Sequence, residues 1–237
     1  MSTIFFGFPS HEDWKRIYND SPFDRLFSLL DSFQNKGHAS QGIDGFTKAI
    51  ELHGLIYEVQ QRLSDVRRSY ILMMFYYKQG IPDQRWYISP GRNGESVQYY
   101  PDFEERHFHI KGWFDYYSDT LYYKLFSAWD VVGHILNVKY DLKVDMVYFG
   151  KAVEALKSKH PSLHANFAGV RESPVFKKAS TIRNDITHNY LPNTAGMAVY
   201  RGSKSTTVGL KKYVPSDEII ANVQEILELF ALALQYV

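Results

Sequence analysis

Leu52-His53-Gly54-Leu55-Ile56-Tyr57-Glu58-Val59-Gln60-Gln61-Arg62-Leu63-Ser64-Asp65-Val66-Arg67-Arg68-Ser69-Tyr70-Ile71-Leu72-Met73-Met74-Phe75-Tyr76-Tyr77 carries the longest regular pattern in the chain, and the architecture turns on it. Leu52, Ile56, Val59, Leu63, Val66, Tyr70, Met73 and Tyr77 recur at alternating steps of four and three. That spacing is the seam of a long helix packed against a similar one. Gly80-Ile81-Pro82 ends the helix, because proline cannot continue it. A matching stripe of Tyr117, Leu121, Leu125, Ala128, Val132 and Ile135 lies in a second long helix, predicted from about Glu104 to Val138. Two such helices in succession predict an antiparallel hairpin at the centre of a bundle.

Shorter elements extend outward from this pair. Trp86-Tyr87-Ile88 and Val97-Gln98-Tyr99-Tyr100 flank Pro90-Gly91-Arg92-Asn93-Gly94, which reads as a β-hairpin insertion over about residues 85–100. Upstream, Ser10 with Asp13 marks one helix start, and Ser21-Pro22 marks another that runs to about Phe33, followed by a loop from Gly37 to Gly45. Downstream, a helix is expected from Val144 to about Lys159, then His160-Pro161 and a short helical stretch. Ala198-Val199-Tyr200 and Thr206-Thr207-Val208 around Gly202-Ser203 predict a second hairpin, about 197–210. The last helix starts at Ser216, carries Asp217 and Glu218 at its positive end, and buries Ile219, Val223, Ile226, Phe230 and Leu234. No internal repeat or low-complexity linker interrupts the chain. The fold class expected is all-α: an antiparallel helical bundle around a long helical hairpin, with two small β-hairpin insertions, in a single domain over 1–237.

A hydrophobic content of 45% with 22% charged residues is that of a globular chain, and it excludes disorder. There is no cysteine, so disulfide frameworks, thiolate catalysis and cysteine-ligated zinc are excluded. The first residues, Met1 to Pro9, lack the basic and apolar regions of a secretory signal, and the longest apolar run, Tyr70 to Tyr77, is far below a membrane span. A cytoplasmic protein without a membrane partner is expected. The net charge is +1, so bulk electrostatics would not hold the chain on nucleic acid, and any phosphate-binding surface must be local.

The richest chemistry lies in Thr181-Ile182-Arg183-Asn184-Asp185-Ile186-Thr187-His188-Asn189-Tyr190-Leu191-Pro192. Ser173-Pro174 starts the helix that carries it, with serine as N-cap and proline in the first turn. Val175, Ala179, Ile182 and Ile186 form one apolar stripe. At about 100° per residue, Asn184 and His188 point away from that stripe and Arg183 sits on its flank. A polar Arg and His at this place also suit a plain helix C-terminus, where cations meet the last carbonyls. Residues five apart on a regular helix diverge by about 140°. Arg183 and His188 of one chain therefore converge only if the helix loosens before His188; otherwise a two-fold dimer must bring one chain's Arg183 beside the other's His188.

Charge patterning marks the same region. From Ile186 through Ser216 there is no Asp or Glu, while Arg201, Lys204, Lys211 and Lys212 all fall there. With Lys177 and Lys178 at the front of the helix, these are the candidate RNA-binding cations. A solvated surface hairpin would carry the same charges. Other clusters carry less. His160 and His164 have a metal-compatible spacing but no acidic neighbour in sequence, Asp115 and Asp119 read as a solvated helix face, and Glu104, Glu105, His107 and His109 suit a helix N-terminus. The many aromatic residues are assigned to core packing, although base stacking is the alternative. A glycine-rich phosphate loop, a GxSxG elbow and an HExxH pair are all missing, which disfavours an ordinary hydrolase or kinase.

Arg183-Asn184-x-x-x-His188 resembles the signature of the HEPN superfamily, small all-helical proteins in which an Arg, a following polar residue and a His form a metal-independent ribonuclease site. With Tyr190 the pattern is similar to that of HEPN toxins paired with a minimal nucleotidyltransferase antitoxin, in which the tyrosine receives adenylate. The resemblance implies Arg183, Asn184 and His188 as catalytic residues, Tyr190 as a modification site, RNA as substrate, a homodimer, and no metal or cofactor. It equally admits a non-catalytic module that binds RNA, a nucleotide or a protein. The chain is long for such proteins, and its two predicted hairpins are additions to the compact pattern.

Overall fold

Two 35-residue helices, α3 (Ile43–Tyr77) and α4 (Glu105–Lys139), form the central antiparallel hairpin of the computed structural model, which describes residues 7–35, 43–203 and 205–237. Every predicted seam position from Leu52 to Met73 is buried, and so are Leu121, Leu125, Ala128, Val132 and Ile135 of the facing stripe. Tyr77 and Tyr117, at the seam's end, are partly buried against the same core. α1 (His11–Asn19) begins at Ser10, whose hydroxyl accepts the Asp13 amide, and α2 (Phe23–Asn35) follows Pro22. Of the predicted Gly37 to Gly45 loop, 37–42 lie outside the described residues and Ile43 onward is already helix.

α5 (Phe149–Lys159) starts five residues later than its apolar pattern suggested. The Asp130 carboxylate on α4 accepts the Phe149 amide at 3.1 Å and fixes the helix start there. Ahead of it, Asp141 and Lys143 adopt positive φ, which breaks the path between α4 and α5. A glycine makes the approach feasible: a Cβ at Gly133 would lie 2.8 Å from the Phe149 backbone. α6 (Pro161–Glu172) and α7 (Pro174–His188) come next, the latter capped by Ser173, whose hydroxyl accepts the Phe176 amide at 3.2 Å.

Both insertions form, at different sizes. The first is a two-residue ladder, β1 (Tyr87–Ile88) against β2 (Gln98–Tyr99). Asp102, after β2, pairs with Arg85 ahead of β1 at 2.7 Å and with Arg92 of the loop at 2.9 Å. The second is a five-pair antiparallel ladder, β3 (Met197–Arg201) against β4 (Thr206–Leu210), with Val199 opposite Val208. α8 (Ser216–Tyr236) closes the bundle against α2, α6 and α7. It is the one helix among the described residues long and apolar enough to cross a membrane, and its five predicted core residues are all buried in the bundle, which accounts for the apolarity. Its positive end receives a buried carboxylate from the loop after α3: Asp83 accepts the Ser216 amide at 3.0 Å, the Ser216 hydroxyl at 2.8 Å and the Tyr213 hydroxyl at 2.6 Å.

Candidate functional site

α7 presents the motif as its phase requires. Ala179 and Ile182 are buried and Val175 and Ile186 pack on the core, so Asn184 and His188 face solvent while Arg183 is half-buried. The Arg183 guanidinium lies over the Phe126 ring of α4, 5.2 Å from its centre, and donates to Asn184 Oδ1 at 3.0 Å. Stacking engages the face of the planar cation, and its N–H donors lie around the rim, where one already meets Asn184.

The helix does not loosen before His188. The Asn189 amide still donates to the Asp185 carbonyl at 3.1 Å, a regular helical bond, and Asn189 is the C-cap. Arg183 and His188 of one chain therefore stay on divergent faces, and the chain by itself does not bring them to one point.

The turn after the helix is anchored from below. Pro192 and Asn193 are buried, and the Lys111 ammonium of α4, itself only 5% exposed, donates to the Asn193 carbonyl at 2.7 Å and to both oxygens of Asp115 at 2.8 and 2.9 Å. The Asn193 side-chain amide donates to Asp119 at 3.0 Å. Asp115 and Asp119 are thus not a solvated face. The turn after α7 lies over this stretch of α4 through Asn193, so a phase that would be exposed on an outer helix is partly enclosed here. Burial pushes the Asp115 carboxyl up to about 7 against the pull of Lys111, and Asp119 up to about 6. Lys111, Asp115, Asp119 and Asn193 are the residues that the motif did not reveal; the i,i+4 spacing of Lys111, Asp115 and Asp119 was the available signal.

Tyr190 is 53% exposed, and its phenol oxygen accepts the Val199 amide of β3 at 3.5 Å. Lys211 and Lys212, leaving β4, come beside it, whereas Arg201 is exposed at the far end of the hairpin. Lys204 lies outside the described residues. Lys177 and Lys178, at the front of α7, are paired with carboxylates: Lys177 with Glu172 at 2.6 Å and Lys178 with Glu218 at 3.0 Å. Of the predicted cations, Lys211 and Lys212 line one pocket, whereas Lys177 and Lys178 are each paired with a carboxylate. His160 packs against the Tyr140 ring, and among the described residues no group of three His, Asp or Glu side chains is arranged to hold a metal. Glu104 and His107 form a reciprocal cap on α4, the structural role expected of that cluster.

The fold and the exposed helix end define a class: a mostly helical protein, built on a long antiparallel hairpin, that displays an Arg-Asn and a His at the end of one helix. Within that class the chain is placed by its sequence, since the HEPN_Cthe2314-like HEPN family model matches residues 56–237, and the chain belongs to that family. α1, α2 and the first third of α3 precede the matched region. Among curated proteins and among solved structures, none matches the chain.

Proposed function

We propose that this HEPN protein is a metal-independent endoribonuclease working as a homodimer. The observation that carries the reading is the regular end of α7: it exposes His188 and leaves Arg183 half-exposed, yet holds them apart, so a composite site would draw its second group from another copy. Catalysis would use the substrate's own 2′-hydroxyl. That oxygen loses its proton to His188 of one protomer and attacks phosphorus. Arg183 of the other binds the extra negative charge of the phosphorane, and the P–O5′ bond breaks as the leaving oxygen takes up a proton from water. Asn184 orients the phosphate and holds the Arg183 side chain, as it does in the free protein. The products are a 2′,3′-cyclic phosphate and a 5′-hydroxyl; DNA, which lacks the nucleophile, is spared.

Tyr190, exposed directly after the motif, is the residue that a nucleotidyltransferase partner would modify if the protein acts as a toxin or defence effector. A second reading, a module that binds RNA without cutting it, is favoured by the separation of Arg183 from His188 within one chain. The test is incubation with mixed cellular RNA in excess EDTA, beside Arg183→Ala and His188→Ala and an equimolar mixture of the two. Cyclic-phosphate ends abolished by each single change and partly restored in the mixture support the dimeric enzyme. RNA that shifts in a gel yet stays whole in every arm supports the binding module instead.

A further inference from the structure

A small pocket of about 140 Å³ opens beside the end of α7, lined by Asp185, Asn189, Tyr190, Tyr200, Lys211 and Lys212. Its two cations outnumber the one carboxylate of the lining. Lys211 donates to the Thr194 hydroxyl, and among the described residues Lys212 enters no ion pair. The one carboxylate in the lining, Asp185, already accepts the Asn189 side-chain amide at 2.9 Å. Burial, then the charge of the Lys111 ammonium, holds the Lys211 amine below its ordinary value.

The aromatic walls are fixed in an unusual way. Tyr200 is 47% exposed, yet its hydroxyl donates to the Leu210 carbonyl at 3.0 Å, while the Tyr190 oxygen accepts the Val199 amide. Both phenols are tied to the hairpin backbone through their polar ends, and about half of each residue's surface remains in solvent. Rings immobilised this way lose little freedom when a flat apolar group stacks on them.

We infer that this pocket is a nucleotide subsite for single-stranded RNA: Lys211 and Lys212 hold one internal phosphodiester, and an adjacent base lies on Tyr200 and Tyr190 at the rim. Two lysines against one carboxylate leave a single excess positive charge, which matches the single negative charge of an internal phosphodiester better than a dianionic terminal phosphate. The cavity admits a phosphate group and leaves the base outside it. Because Asn189 and Tyr190 directly follow His188, a strand held here brings a neighbouring phosphate to the helix end. The inference rests on the proposed RNA-directed function and deepens it.

The test separates binding from cleavage by using a labelled 2′-O-methyl oligonucleotide, which has no free 2′-hydroxyl, in fluorescence anisotropy. Lys211→Ala/Lys212→Ala is expected to weaken binding about tenfold or more at low salt. It should also flatten the plot of log affinity against log salt, since each lost single-strand phosphate contact removes about 0.7 from the slope. Tyr200→Leu should cost about fivefold or more with a normal strand, given the strength of base–aromatic stacking, and little with an abasic one. Circular dichroism checks that these surface variants stay folded. Unchanged affinity in the lysine double variant overturns the subsite, as does an equal loss from Tyr200→Leu on normal and abasic strands. A large gain on adding a 5′-terminal phosphate overturns the internal-phosphodiester assignment. Lysine-dependent binding in a protein that leaves RNA uncut would refute the ribonuclease and keep the subsite.

Discussion

Replacing Lys111 by methionine removes the cation beneath the turn after the motif while roughly conserving the stem's volume. Three hydrogen bonds vanish, two to Asp115 and one to the Asn193 carbonyl, and a buried carboxylate loses its counter-charge. Removing one partner of a buried pair costs about 3–5 kcal/mol, and for a chain of this size that lowers the melting temperature by about 10 °C. The penalty depends on pH in a definite direction. Asp115 is raised to about 7 and Asp119 to about 6, both above the ordinary 3.8, so between about pH 4 and pH 7 the folded protein holds more protons than the unfolded chain. The stability these two carboxyls contribute is full below the ordinary carboxylate range and is lost as pH rises through their folded values. Without Lys111 the neutral form of Asp115 gains further, so the variant's deficit should be larger near pH 8 than near pH 5, where a protonated Asp115 needs no cation. Urea denaturation at both pH values, with m-values compared, measures this. Lys111→Met/Asp115→Leu should recover part of the loss, because the unpaired charge goes with its partner, while the Asn193 carbonyl remains without its donor. A single-variant cost under about 1 kcal/mol, or a deficit larger at low pH, refutes the account of this network.

Asp83→Ala leaves the Ser216 amide, the Ser216 hydroxyl and the Tyr213 hydroxyl without their acceptor and should destabilise by about 3–5 kcal/mol in the same assay. Asp83→Asn, which keeps one carbonyl oxygen, should lose less. Gly133→Ala would put a methyl 2.8 Å from the Phe149 backbone and push α5 off α4; about 1–3 kcal/mol is expected from overpacking, read as a lower urea midpoint. Lys177→Ala and Lys178→Ala remove cations already paired with Glu172 and Glu218, so oligonucleotide affinity should fall by less than about twofold, against about tenfold for the Lys211/Lys212 double variant.

The long hairpin, the helix starts at Ser10 and Ser173, and the outward face of Asn184 and His188 were all legible in the residues alone. Each rests on a local rule: a periodic apolar seam, a cap, or the phase of one helix. The separation of Arg183 from His188 was legible only as a condition, since five residues subtend a fixed angle on a regular helix and the structure alone shows that α7 stays regular to its end. The remaining features depend on packing between elements. The start of α5 is set by Asp130 and Gly133 of another helix, so the apolar pattern from Val144 onward could not locate it. Asp115 and Asp119 are half-buried because the turn after α7 packs beside them, and a helical phase records where a residue points without saying what else packs there. The basic residues 177, 178, 211 and 212 look equivalent in a charge count. In three dimensions two are neutralised by Glu172 and Glu218, and two meet at a pocket beside the motif, because ion pairing depends on which elements the fold brings together.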